Sequence, residues 1–299
     1  MDSSKVIRKA VIDLGTNTFN LLIAEWIDEK WRRIHSEKDG VALGMGGINQ
    51  KIITEDAILR AEKALSHFKS IADSFGISEI QAVGTSAIRD AKNQSEFVER
   101  MKKGVGIDIL VISGDEEADF IYRGVAKTID FSVPSLIMDI GGGSTEFILV
   151  DKTGIQEKVS FNIGVSRILQ LFSCDDPIKP DQVLELNQWL EDQVAGFFDH
   201  LKISRLIGAS GSFETFYELI HNKTVPSLDN AIKLPFLNFY SELEHLIFST
   251  QAERDLNPWI IPIRKKMAPY AAIKTKWVID KLRISETYLS PYSLKEGLF

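Results

Sequence analysis

One pattern occurs twice in this chain. Ala10-Val11-Ile12-Asp13-Leu14-Gly15-Thr16-Asn17-Thr18-Phe19-Asn20-Leu21-Leu22-Ile23 superimposes without a gap on Leu136-Ile137-Met138-Asp139-Ile140-Gly141-Gly142-Gly143-Ser144-Thr145-Glu146-Phe147-Ile148-Leu149, at an offset of 126 residues. Each copy reads as an apolar strand, a carboxylate at its end, a short turn of glycine and hydroxyl residues, and a second apolar strand. Glycine lets the backbone turn freely and lets a ligand reach bare N–H groups. Successive amides in such a turn form an anion-binding concavity. A single Asp-Gly hairpin is equally well a turn between two core strands. Repetition in register points instead to two related halves, each offering one phosphate-sized loop. Two such loops facing each other across a cleft would grip a phosphate chain from both sides. The candidate phosphate-binding residues are therefore Asp13, Gly15, Thr16, Asn17 and Thr18 in the first loop, with Gly141, Gly142, Gly143 and Ser144 in the second.

A chain of 299 residues is long for one core and comfortable for two domains. The natural division puts residues 1–126 in a first domain and 127–299 in a second, with the last helix a candidate to pack back on the first. A net charge of −7 argues against a general nucleic-acid or anionic-membrane binder, so an anionic substrate must be held by local features. No apolar run approaches the ~20 residues that cross a bilayer. The N-terminal residues run directly into the first strand, which leaves no room for a signal peptide. Cys174 is the only cysteine and sits among Ser173, Asp175 and Asp176, the setting of an inert thiol. Together these features give a cytoplasmic expectation. The five histidines show no ligand spacing, which argues against zinc, and Arg264-Lys265-Lys266 reads as a solvated face. A two-fold dimer is the base-rate expectation for assembly.

Along the chain, strands alternate with helices, which indicates an α/β layer architecture. Strands are expected at Lys9–Asp13, Phe19–Trp26 and Trp31–Ser36. Thr54 caps a helix whose apolar residues are Ile58, Ala61, Leu65, Phe68, Ala72 and Phe75, and Gly76 ends it. The strand Ile77–Val83 leads through Gly84-Thr85-Ser86-Ala87-Ile88-Arg89 to a helix at Gln94–Lys103, and Ile107–Ile112 is the next strand. A helix from about Asp115 to Lys127 joins the halves. In the second half, a third strand is expected at Ile155–Phe161, with helices at Ser166–Phe172, Asp181–Leu201, Phe213–Ile220, Phe239–Phe248 and Met267–Lys281. The strand Arg205–Ile207 runs into Gly208-Ala209-Ser210-Gly211, a tight turn opening a helix and a candidate nucleotide loop.

Ser113 and Glu116 fit a capping box, which accounts for Glu116. It leaves Glu117 unexplained. Glu117 shares a helix side with Ile121, Gly124 and Val125, so it leans toward the buried face. A carboxylate in the first helical turn is stabilised in its ionised form by the macrodipole. Glu117 is then either a dipole partner or a general base for an attacking water. Glu146 follows the second loop and is either an edge-strand charge or, with Asp139 at the strand end, a ligand for Mg²⁺. Arg89 is either a surface cation or a bidentate clamp on a phosphate oxygen.

Taken together, Asp13-Leu-Gly-Thr-Asn-Thr18, Gly84-Thr-Ser-Ala-Ile-Arg89, Ser113-Gly-Asp-Glu-Glu-Ala118, Asp139-Ile-Gly-Gly-Gly-Ser-Thr-Glu146 and Gly208-Ala-Ser-Gly211 resemble the exopolyphosphatase / guanosine pentaphosphate phosphohydrolase (Ppx/GppA) family. The resemblance implies two ribonuclease-H-like domains of the actin-like ATPase superfamily flanking an interdomain cleft. It implies Mg²⁺-dependent hydrolysis of a terminal phosphoanhydride of polyphosphate or of pppGpp. Its catalytic glutamate falls on Glu117, its metal and water-positioning acids on Asp139 and Glu146, and its phosphate-contacting arginine on Arg89. The chain departs from the family pattern at Ala42-Leu43-Gly44, where the family often has Arg-Leu-Gly, and at Pro269-Tyr270-Ala271 and Pro291-Tyr292-Ser293-Leu294-Lys295-Glu296-Gly297 near the C-terminus. The alternatives are a kinase of the same superfamily and a nucleotide or alarmone sensor without turnover.

Overall fold

The computed structural model describes residues 6–299, which divide into two compact units. One comprises the chain up to Glu117 together with Leu298–Phe299, and the other Ala118–Gly297. The division falls inside a helix, nine residues before the boundary expected from the sequence. The four-residue C-terminal helix lies in the second unit, and only Leu298–Phe299 belong to the first.

The first unit is built on a five-stranded sheet in the order β3-β2-β1-β4-β5. Its strands are β1 (Arg8–Leu14), β2 (Phe19–Ile27), β3 (Lys30–Asp39), β4 (Ile80–Gly84) and β5 (Ile109–Val111). β1 pairs antiparallel with β2 and parallel with β4. Three helices complete the layer: α1 (Glu55–Ser74), α2 (Ser86–Arg89) and α3 (Gln94–Gly104). Thr54 caps α1 as its sequence suggests, its hydroxyl accepting from the Ala57 N–H at 3.4 Å. The core joins the buried face of α1 (Ala57, Ile58, Ala61, Leu65, Phe68) to Ile12, Leu14, Leu21 and Ile23 of the sheet.

The helix α4 (Gly114–Val125) leads into a second sheet of six strands, β10-β11-β9-β6-β7-β8. These are β6 (Ser135–Ile140), β7 (Thr145–Asp151), β8 (Gly154–Phe161), β9 (Arg205–Ala209), β10 (Ile232–Leu234) and β11 (Glu286–Leu289). Position for position, β8-β7-β6-β9-β11 repeats β3-β2-β1-β4-β5, with β6 antiparallel to β7 and parallel to β9. The sequence repeat is therefore a fold repeat, and each half is a ribonuclease-H-like α/β domain. The second unit also holds α5 (Val165–Leu171), α6 (Pro180–Val194), α7 (Ser210–His221), α8 (Phe236–Ile247), α9 (Gln251–Leu256), α10 (Ala268–Leu282) and α11 (Leu294–Gly297).

Two expectations need correction. The helix expected over Asp181–Leu201 stops at Val194, because Ala195 and Gly196 turn left-handed (φ +46° and +79°) and close it. The segment following α8 is not only helical: it contains β11, a core strand between β9 and β10. Its four residues, Glu286–Leu289, alternate too briefly for periodicity to reveal it. Among the described residues, no helix is long and apolar enough to cross a membrane.

Candidate active site

The two repeated turns are braced in the same way. In the first, the Gly15 N–H closes the turn onto the Thr18 carbonyl at 3.1 Å. The chain after β3 then reaches back: Ala42 N–H donates to Asn17 O at 2.8 Å and Gly44 N–H to Thr16 O at 3.0 Å. In the second, Gly141 N–H donates to Ser144 O at 3.1 Å, and the chain after β8 reaches back from the N-terminus of α5. Gly164 N–H donates to Gly143 O at 3.2 Å, Ser166 N–H to Gly142 O at 2.8 Å and Val165 N–H to Gly141 O at 3.1 Å. With the turn's carbonyls engaged by α5, its own amides are left for another acceptor. Among the described residues, the N–H groups of Gly142, Gly143 and Ser144 donate to no backbone carbonyl. Three such amides in one turn make an anion nest.

Close approach requires glycine here. A Cβ on Gly164 would fall 2.3 Å from both the carbonyl carbon and oxygen of Gly142, so only glycine lets α5 sit against the turn. Arg167, buried one residue further along the helix from Ser166, adds a side-chain brace, its Nε donating to Gly143 O at 2.6 Å. Sequence reasoning missed Arg167; its position shortly after β8, matching the segment after β3, was the available signal.

Asp139 and Glu146 are cross-strand partners of the β6–β7 hairpin, so both side chains lie on one face of the sheet. Both are buried, Glu146 on an interior strand and not an edge. Burial pushes the Asp139 carboxyl above its ordinary range, while the hydrogen bond from Ser293 and the charge of Lys295 pull the other way. The Ser293 hydroxyl donates to Asp139 Oδ2 at 2.5 Å, and the Ser160 hydroxyl to Glu146 Oε1 at 2.7 Å. Ser293, just before α11, thus supports the Asp139 carboxylate from a distant part of the chain.

Glu117, the last residue of the first unit's main segment, is 7% exposed, on the side of α4 that also carries the buried Ile121 and Val125. The capping box forms as its spacing implies: Ser113 N–H and Oγ both donate to Glu116 Oε2 at 2.8 Å. Arg89, at the end of α2, donates from Nη1 to Glu117 Oε2 at 2.8 Å and to the Ile112 carbonyl at 3.2 Å. Of the two readings of Arg89, the surface cation does not hold, because the guanidinium is locked between Glu117 and β5's end.

The Gly208–Gly211 turn runs from the end of β9 into α7, and Ser210 takes a left-handed backbone (φ +65°), a strained conformation for serine. Arg264 lies flat on this turn: a Cβ on Gly211 would sit 1.8 Å from its Nη2. Nη1 donates to Thr215 Oγ1 at 3.1 Å. Arg264 is thus half-buried against α7 and does not belong to a solvated basic face.

A family model described as the Ppx/GppA phosphatase family matches residues 22–299. The chain belongs to that family. It is 35% identical to an exopolyphosphatase of Cytophaga hutchinsonii whose crystal structure superimposes with a TM-score of 0.93, covering 97% of this chain and 96% of the other. A bifunctional 3-dehydroquinate synthase/phosphatase of Fusobacterium nucleatum is 34% identical over 220 residues, 69% of this chain and 33% of that protein. A guanosine-5'-triphosphate,3'-diphosphate pyrophosphatase of Vibrio cholerae is 29% identical over 294 residues, 97% of this chain and 58% of that protein. This Ppx/GppA chain therefore spans from a third to under two thirds of the length of these two curated relatives.

Proposed function

We propose that this chain hydrolyses a terminal phosphoanhydride, releasing inorganic phosphate from polyphosphate or from a guanosine pentaphosphate. The observation that carries the reading is the twice-built turn, with its carbonyls drawn off by neighbouring amides. The relatives, named as an exopolyphosphatase and as a guanosine-5'-triphosphate,3'-diphosphate pyrophosphatase, support this class of substrate.

In this reading, a water oxygen attacks the terminal phosphorus and Glu117 accepts the proton that the water loses. The bridging P–O bond breaks, and its electron pair leaves with the shortened phosphate chain. General-base help of this kind is worth roughly 10²–10⁴-fold. Arg89 holds the Glu117 carboxylate in one orientation, and the amides of Gly142, Gly143 and Ser144 offset charge that grows on phosphoryl oxygens.

Asp139 and Glu146 fit Mg²⁺. Two carboxylates on one face suit an ion that binds through one or two carboxylates, substrate phosphate and retained waters. When bound, such an ion supplies charge neutralisation for the phosphates.

The test measures phosphate release from tripolyphosphate and from pppGpp with Mg²⁺, comparing wild type with Glu117→Gln. The expected result is a loss of at least about 10²-fold in kcat with substrate binding retained within about threefold. Wild-type turnover unchanged in Glu117→Gln would overturn the assignment of the base, and a wild type that binds but releases nothing would identify a sensor.

A further inference from the structure

β3 (Lys30–Asp39) is the outermost strand of the first unit's sheet: among the described residues, β2 lies on one side of it and no strand on the other. Ten residues span roughly 33 Å, long for an edge. The outward N–H and C=O groups of such a strand are a template for another strand, and proteins commonly guard it with proline, a bulge or like charges. β3 has no proline, and its charges are sorted by sign along the strand. Lys30, Arg32 and Arg33 occupy the first half, while both acids, Glu37 and Asp39, fall in the second. One bulge divides the halves: Ile23 of β2 pairs with His35 and Ala24 with Arg33, so Ile34 is the extra residue. The bulge resets the side-chain alternation. Lys30, Arg32, Glu37 and Asp39 lie opposite Ile27, Glu25, Leu21 and Phe19, alternate residues of β2, and so share one face of the sheet. Trp31, Arg33, Ser36 and Lys38 share the other.

We propose that β3 is a self-pairing edge, through which two copies of this chain join by antiparallel strand addition about a two-fold axis between Ile34 and His35. That register sets Lys30 opposite Asp39 of the second copy, Arg32 opposite its Glu37, Arg33 opposite its Ser36 and Trp31 opposite its Lys38. Each pair joins two residues of the same face, as strand pairing requires, and only the bulge permits this at such a register. Symmetry supplies both ion pairs twice. Sliding one copy by two residues either way keeps a single ion pair of this kind, Lys30 with Glu37 or Arg32 with Asp39, so charge selects the register. Ile34, exposed at the bulge, lies at the axis with charged pairs to either side, an apolar centre within a polar rim. In the single copy Arg32 Nη2 holds Asp28 Oδ2 at 2.8 Å, and Glu37 Oε1 lies 2.7 Å from His67 Nε2. Such exposed pairs are worth little and yield to a competing partner.

The test is sedimentation equilibrium of the full chain over a range of protein concentration, at low and at high salt. Wild type is expected to dimerise, and less tightly at high salt because the ion pairs are exposed. Arg32→Glu and Glu37→Arg should each raise the dimer Kd by at least about tenfold, since symmetry makes every reversal count twice. Arg32→Glu/Glu37→Arg restores opposite charges in swapped positions and should return to within about threefold of wild type. A mixture of the two single variants gives the sharpest readout. Arg32→Glu carries acids at both positions and Glu37→Arg cations at both, so the mixture should form heterodimers more tightly than either variant pairs with itself. Ile34→Lys brings two ammonium groups together at the axis and should also weaken the dimer; Ile34 is exposed, so this variant serves if a charge reversal unfolds the chain. A wild type that stays monomeric throughout overturns the proposal. So does a dimer that none of these single variants loosens, or a charge swap that recovers nothing in the double variant and the mixture.

Discussion

Gly164→Ala tests the geometry of the second turn with a single methyl group. The backbone of Gly164 (φ −62°, ψ 154°) is open to any residue, so alanine carries no torsional penalty there. By itself the substitution would stabilise, since alanine removes about 0.4–1 kcal/mol of unfolded-state entropy. The steric effect is opposite and larger. The new Cβ would sit 2.3 Å from Gly142 C and O and 2.4 Å from Gly143 C, all backbone atoms that cannot rotate away. Restoring ordinary contact needs a displacement of about 1 Å, and overpacking of this kind costs about 1–3 kcal/mol. The clash should win by roughly 1–2 kcal/mol in urea unfolding. The functional effect should be disproportionate. A shift of that size breaks the 2.8 Å bond from Ser166 N–H to Gly142 O and re-aims the turn's amides, and misplacement by 1 Å near the chemistry can cost about 10²-fold in rate. Gly104→Ala is the control, because at the end of α3 a Cβ would meet nothing nearer than Glu62 Oε1 at 3.8 Å. It should be neutral or stabilising, with phosphate release unchanged. The reasoning is refuted if Gly164→Ala unfolds at the wild-type urea midpoint and releases phosphate within threefold of wild type.

Asp139→Asn is expected to abolish phosphate release and to stabilise the fold by on the order of 1 kcal/mol at neutral pH, as removing a strained functional charge commonly does. Burial raises the folded-state pKa of Asp139 above its unfolded value, so its contribution to stability is fully present below the ordinary value of 3.8 and is lost as pH rises through the folded value. The stability gap between variant and wild type should therefore widen from pH 4 toward pH 7 in urea titrations, and a gap that narrows contradicts the sign. Ala42→Gly concerns the matching brace of the first turn, where Ala42 sits in the left-handed region at φ +49°. Relief of about 1–2 kcal/mol of torsional cost exceeds the roughly 0.5–1 kcal/mol entropic cost of glycine, so a net stabilisation of up to about 1 kcal/mol is expected by thermal or urea unfolding.

Much of this was legible because local chemistry and fold agree. The repeat of Asp13–Ile23 in Asp139–Leu149 implied two like domains, and the two sheets have matching strand orders over five strands. Thr54, Ser113 and Glu116 were readable as caps because capping depends on residues three apart. Other features depend on contacts distant in sequence. Ser293 reaches Asp139 across 154 residues, Lys274 reaches Thr145 across 129, and no local periodicity encodes either. Lys274 did leave one trace, a charge inside an apolar helical run. Arg264 misled for the opposite reason: three consecutive cations look solvated until a glycine, Gly211, provides a flat surface for one of them.

The two copies also differ where it matters for charge. In the first, Asp13 pairs across the hairpin with Asn20, whose Nδ2 donates to Asp13 Oδ2 at 3.1 Å, so one carboxylate meets a neutral donor. In the second, the position of Asn20 is held by Glu146, and Asp139 faces a second acid. Two buried carboxylates side by side repel each other and disfavour an anionic ligand unless positive charge is nearby. For the Mg²⁺ proposed above, a divalent cation gains most where two carboxylates converge, which favours the Asp139/Glu146 pair over Asp13. Glu146→Asn would make the second hairpin resemble the first. It should leave metal-free tripolyphosphate binding intact or tighter, while raising the Mg²⁺ concentration needed for phosphate release; an unchanged Mg²⁺ requirement would remove Glu146 from the metal set.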